Sequence, residues 1–100
     1  MTLNDIRYIL LNMKYYEDGE EHPNPLPQKI RYSTKNKKRE VTVERIDAGH
    51  WRYLEIKILK CGFKYTRLFA LPFEAVVELL FKDRRVFSNN WKQDDENKIK

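Results

Sequence analysis

Three runs of alternating side chains, "EVTVERI" (40–46), "WRYLEIKILK" (51–60) and "KYTRLFA" (64–70), are separated only by "DAGH" and "CGF". Neighbouring parallel strands need a crossover of about a dozen residues or more, so connections this short force antiparallel hairpins. Asp47 and Gly49 suit the first reversal, and Gly62 supplies any left-handed position in the second. A fourth run, "KIRYST" (29–34), leads through the basic turn "KNKKR" into the same meander.

Helical spacing brackets these strands. Leu3, Ile6, Ile9, Leu10 and Met13 fall on one side of a helix over 3–16, with Thr2 or Asn4 as N-cap. The loop "EDGEEHPNPLPQ" then stops it with three prolines and a glycine. "LPFEAVVELLFKDRR" reads as a second helix, with Pro72 in its first turn, Glu74 near its positive end and Lys82, Arg84 and Arg85 near its negative end. Its apolar stripe is Val76, Val77, Leu80 and Phe81. The expected fold is α+β: a four-stranded antiparallel sheet flanked by an N-terminal and a C-terminal helix, in the order α–β–β–β–β–α. Residues 1–90 form one domain, and 91–100 a mobile charged tail.

One hundred residues make a single domain with a modest core, and 41% hydrophobic against 35% charged residues mark a folded, soluble chain. No apolar run is long enough to span a membrane, and "MTLNDIRY" is not a secretory signal. The single Cys61 fits a reducing compartment, cytoplasmic or, in a eukaryote, nuclear. Acids gather in "YYEDGEEH" and "QDDENK", whereas residues 28–69 hold twelve lysines and arginines against four acids. A basic body between acidic ends suits a polyanionic partner.

Period-two reading splits each strand into two faces. In 51–60 the aliphatic set Arg52, Leu54, Ile56 and Ile58 is expected under the helices, together with Thr66, Leu68 and Ala70 from the last strand. Val41, Val43, Ile30 and Tyr32 complete that core. The helix-free face would then carry Trp51, Tyr53, Phe63, Tyr65 and Phe69 among Lys29, Arg31, Lys57 and Arg67. Aromatic faces stack on unpaired bases, at about 1–3 kcal/mol per base, while cations follow the phosphates. The expected site is therefore base stacking by Trp51, Tyr53, Phe63 and Tyr65. Phosphate contacts fall to Lys29, Arg31, Lys57, Arg67 and the Lys37–Lys38–Arg39 turn. The alternative reading makes the same aromatics the anchors of a small interaction module or inhibitor docked on a partner protein, and a third covers them with the first helix.

The segment "EVTVERIDAGHWRYLEIKILKCGFKYTRLFALPFEAVVELL" (40–81) resembles the strand–helix unit of PUR-domain proteins, Whirly proteins and related single-stranded-DNA-binding transcriptional coactivators. There, curved strands with aromatic and basic residues enter a helix through an "LP" step, here "LFALPFEAVVELL". The resemblance implies binding of single-stranded DNA or RNA in transcription or replication control, by a homodimer formed through helices and strand edges. The N-terminal helix and the acidic proline-rich loop depart from that pattern.

Catalytic signatures are weak, and the chain is read as a non-enzyme without cofactor or metal. Asp47 with Glu55-x-Lys57 matches the D…(D/E)-x-K order of Mg²⁺-dependent nucleases, which need two carboxylates on neighbouring strands and a lysine beside them. His22 and His50 lie in loops, Cys61 has no zinc spacing with them, and the three glycines are isolated.

Overall fold

A computed structural model describes residues 1–16, 19, 21–22 and 25–93, with the backbone alone for 92 and 93. Helix α1 (Leu3–Asn12) precedes a meander of β1 (Lys29–Ser33), β2 (Arg39–Asp47), β3 (His50–Ile58) and β4 (Lys64–Pro72). Helices α2 (Phe73–Lys82) and α3 (Arg84–Asn90) follow, and a short β5 (Lys92–Gln93) closes the described chain. The sheet is antiparallel throughout, in the order β4-β3-β2-β1-β5. The expected α+β class and four-stranded meander hold, and the three helices share one face.

Several boundaries differ from the sequence reading, each for a local reason. Thr2 caps α1: its hydroxyl accepts from the Asp5 N–H (3.2 Å), and the Asp5 carboxylate accepts from the Thr2 N–H (2.9 Å). Hydrogen bonding to the Thr2 backbone N–H first, and to the Thr2 side chain second, holds the Asp5 carboxyl below its ordinary pKa. The helix ends at Asn12 and does not reach residue 16, because the chain turns out to pair with Leu26. The Asn12 carbonyl accepts from the Leu26 N–H at 2.8 Å, and the Lys14 N–H donates back to the Leu26 carbonyl. The second helix is broken at Asp83, whose carboxylate is drawn to the Tyr32 hydroxyl and to Arg39, and the chain restarts as α3. Pro72 is the last residue of β4 and the N-cap of α2. Trp91 packs against Phe87, and Lys92–Gln93 pair with β1, so residues 91–93 belong to the domain. The rest of the expected tail, 94–100, lies outside the described residues, as do 17, 18, 20, 23 and 24 of the acidic loop.

The core lies between the sheet and the helices: Ile6, Ile9 and Leu10 from α1, Met13 just after it, Val76, Val77 and Leu80 from α2, Phe87 from α3, and Ile30, Tyr32, Val41, Val43, Trp51 and Tyr53 from the sheet. Val41, Val43, Ile30 and Tyr32 point inward as expected. The two C-terminal hairpin strands do not. Trp51 and Tyr53 are 0% and 2% exposed in the core, whereas Leu68, expected there, is 59% exposed.

A β-bulge explains the inversion. Asp47 pairs with His50 across the "AG" turn, and continuing that register would set Leu54 opposite Val43 and Ile56 opposite Val41. The register shifts by one residue between Arg45 and Asp47, and Tyr53 comes opposite Val43 and Glu55 opposite Val41. A one-residue shift moves every later side chain to the other face. The aliphatic set Leu54, Ile56 and Ile58 therefore lies on the open face, and of the aromatic set Trp51 and Tyr53 lie under the helices while Phe63, Tyr65 and Phe69 stay exposed.

Arg45, beside the bulge, ties the core to α1. Its guanidinium donates to the Leu11, Met13 and Ala48 carbonyls and lies 4.6 and 4.9 Å from the Tyr15 and Trp51 ring centres. These contacts use the planar fork and not only the charge. Arg45→Lys is expected to lower stability by about 1–2 kcal/mol in urea unfolding.

Candidate nucleic-acid interface

Both long hairpin turns open at one end of the sheet. The β1–β2 turn (34–38) and the β3–β4 turn (59–63) are joined where the Ile58 N–H donates to the Lys38 carbonyl at 2.7 Å. In the first, the Asn36 carboxamide oxygen accepts from the Thr34 hydroxyl and the Lys38 N–H, and Lys37 takes a left-handed φ of 60°. In the second, the Leu59 N–H donates to the Phe63 carbonyl, the Gly62 N–H donates back to Leu59, and Gly62 adopts φ 88°. Strands about 4.8 Å apart make this end roughly 15 Å wide from β1 to β4.

Lysines crowd that end. Lys35, Lys37, Lys38, Lys57, Lys60 and Lys64 are all exposed, and none makes a salt bridge among the described residues. Phe63 (72% exposed) and Tyr65 (46%) stand beside them, with Phe69 further down β4. Tyr65 shares a face with Lys57, directly opposite it on β3. This corner stays uncovered because α2 crosses diagonally from Pro72 to Asp83, which is anchored on Arg39 and Tyr32. Lys35 also lines one shallow groove with Arg85, Val86 and Asn89, extending the basic surface to α3.

Two acids near this end, Glu55 and Asp83, are bridged by arginines. Glu55, 1% exposed, accepts from Arg39 on one carboxylate oxygen and from Arg67 (2.9 Å) on the other. Burial opposes its ionisation, but Arg39 and then Arg67 outweigh burial and hold its pKa below the ordinary value. Asp83 is held by Arg39 and Tyr32. Burial, then Tyr53 and Asp83, push the Tyr32 phenol well above its ordinary range, so it stays a donor. Arg39 is likewise held charged: Asp83 and Glu55 overcome the burial that opposes it.

The expected site residues divide accordingly. Lys37, Lys38, Lys57, Phe63 and Tyr65 meet at the lysine-rich end. Arg39 and Arg67 lie next to it but are committed to Glu55. Trp51 and Tyr53 are corrected to core residues: Trp51 packs on Phe73, with ring centres 5.5 Å apart, and neither offers a ring face to a base. Lys29 and Arg31 lie on the opposite face near the β5 edge, apart from the rest. Lys35, Lys60, Lys64 and Arg85 join the site without having been singled out by face. Their sequence signal is that consecutive hairpins return every second turn to the same end. No family model, curated protein or solved structure matches the chain. The interface therefore rests on its own geometry.

The nuclease constellation is not assembled. Asp47 sits in the β2–β3 turn, bonded to the Gly49 N–H and to His50, which lower its pKa. Glu55 lies five residues up β3, about 17 Å away, beneath two arginines. No group of three or more His, Cys, Asp or Glu side chains converges on a metal position among the described residues. No described helix is long and apolar enough to cross a membrane.

Proposed function

We propose that the protein binds single-stranded nucleic acid, DNA or RNA, at its lysine-rich end. The observation that carries this reading is the convergence of the two basic turns with exposed Phe63 and Tyr65 beside them. Six lysines that make no ion pair among the described residues supply a phosphate track, and the two rings supply faces on which unpaired bases stack. Lys37 adds support: it holds a left-handed conformation that glycine would adopt without strain, so the turn keeps a cation where backbone preference disfavours one. The resemblance of residues 40–81 to single-stranded-DNA-binding sheets points the same way. The binding surface, however, is the end and outer corner of the sheet, not its open face.

Fluorescence anisotropy with a labelled oligo-dT tests this. Affinity is expected to fall with salt at a slope near −0.7 per phosphate contacted, with duplex of equal length bound more weakly. Phe63→Ala is expected to weaken binding about tenfold and to flatten the preference for single strands, since one stacked base is lost. Lys37→Glu with Lys38→Glu is expected to reduce the salt slope. Absence of binding at low salt would overturn the proposal.

A further inference from the structure

Strand β4 has no buried residue along its nine positions, although it borders the core strand β3. Tyr65 and Phe69 are exposed on one face, Leu68 and Ala70 on the other. At the opposite sheet margin β1 is covered by β5, so β4 is the free long edge among the described residues. Its polar backbone atoms can be assigned. The Leu59 N–H donates to Phe63, and hydrogen-bonded pairs alternate along an antiparallel ladder. Tyr65, Arg67, Phe69 and Leu71 thus bond β3, while Lys64, Thr66, Leu68, Ala70 and Pro72 turn their backbone groups outward. Pro72, which has no N–H, falls in the outward set, where its own sheet loses nothing.

We propose that this edge pairs with the same edge of a second copy, antiparallel and centred on Leu68, joining two sheets into one. In that register every residue of the strand is used: Leu68 meets Leu68, Thr66 meets Ala70, Arg67 meets Phe69, Tyr65 meets Leu71 and Lys64 meets Pro72. All outward groups pair except the Lys64 carbonyl, giving about eight new backbone hydrogen bonds over roughly 30 Å. A register centred on Arg67 would set like charges opposite each other, and one centred on Phe69 would leave Lys64 and Tyr65 unpaired.

Charge selects a second copy over an acidic peptide. Arg67 is already bridged to Glu55 at 2.9 Å, which leaves Lys64, at the very end, as the strand's one cation without an ion pair among the described residues. From Leu68 to Ala70 the edge is apolar, and the charge of Arg67 beside it is met by Glu55. Pairing about Leu68 holds the two Lys64 residues about 27 Å apart, well beyond the screening length at physiological salt. It also points the two lysine-rich ends in opposite directions. Long apolar edges left open invite association, and closed two-fold pairing satisfies the edge without propagating it.

Sedimentation equilibrium without nucleic acid, and with reductant because Cys61 is exposed, reads the outcome. The wild-type mass is expected to rise with concentration from 12.2 kDa to twice that value. Ala70→Pro removes an outward N–H that β3 does not use, and Leu68→Lys sets two cations at the symmetry axis. Both are expected to remain monomeric, with circular dichroism unchanged for Leu68→Lys should the proline variant fold poorly. Ile58→Lys, on the same open face but on β3, is expected to leave the dimer intact. A wild type that stays monomeric up to the millimolar range overturns the proposal. So does a dimer that survives Leu68→Lys, or one that Ile58→Lys abolishes.

Discussion

Trp51→Ala is expected to cost about 3–5 kcal/mol, lowering the melting temperature by roughly 15–30 °C in a domain of this size. Trp51 is fully buried, stacks obliquely on Phe73, and carries the Arg45 guanidinium 4.9 Å from its ring centre. Truncation would leave an aromatic-sized cavity beneath α2 and remove one wall of the Arg45 site. Its indole N–H has no hydrogen-bond partner among the described residues, so Trp51→Phe loses volume without losing a bond seen there and is expected to be far milder. The matching surface change, Phe63→Ala, is expected to shift stability by less than about 0.5 kcal/mol. Urea unfolding of the three variants reads the phase of the bulge directly. Were Trp51 on the open face, Trp51→Ala would be nearly silent, and the inverted register would be wrong.

That bulge marks where sequence patterning stopped being informative. The meander was legible because turn lengths of a few residues allow no parallel crossover. The inward set of β1 and β2 was legible because Val41, Val43 and Ile30 alternate with polar neighbours. In β3 both faces carry large apolar residues, so alternation gives two solutions of similar hydrophobic value, and only the register chooses. One residue inserted at Ile46 decides it, and a bulge of this kind has no glycine or proline to announce it. The candidate site was legible in composition but not in placement. Lys37, Lys38, Lys57, Phe63 and Tyr65 were visible as types, whereas the end of the sheet that gathers them follows from topology. The break at Asp83 was hidden for a similar reason: its partners, Tyr32 and Arg39, lie more than forty residues away.

Glu55 tests the network behind that end, and Glu55→Ala is expected to cost about 3 kcal/mol. Burying a carboxylate is unfavourable by itself, and here it is offset by Arg39 and Arg67. Removing it leaves Arg39, largely buried, with Asp83 as its remaining charged partner, and frees Arg67 toward solvent. Glu55→Gln keeps the shape and part of the hydrogen bonding, so about 1–2 kcal/mol is expected. The sign of the pH dependence separates charge from packing. Because the folded-state pKa of Glu55 lies below its ordinary 4.5, the ionised group contributes stability above that value. The contribution is lost as pH falls through the lower, folded-state pKa. The difference in urea midpoint between wild type and Glu55→Gln should therefore be constant from about pH 6 to pH 8 and shrink below about pH 4.5. Asp5 and Asp47, whose pKa values are also lowered, are common to both proteins and cancel in that difference. A gap that stays constant down to pH 3 would show that the two arginines hold Glu55 by shape alone. It would then fail to explain how a lysine-rich end tolerates a buried acid beneath it.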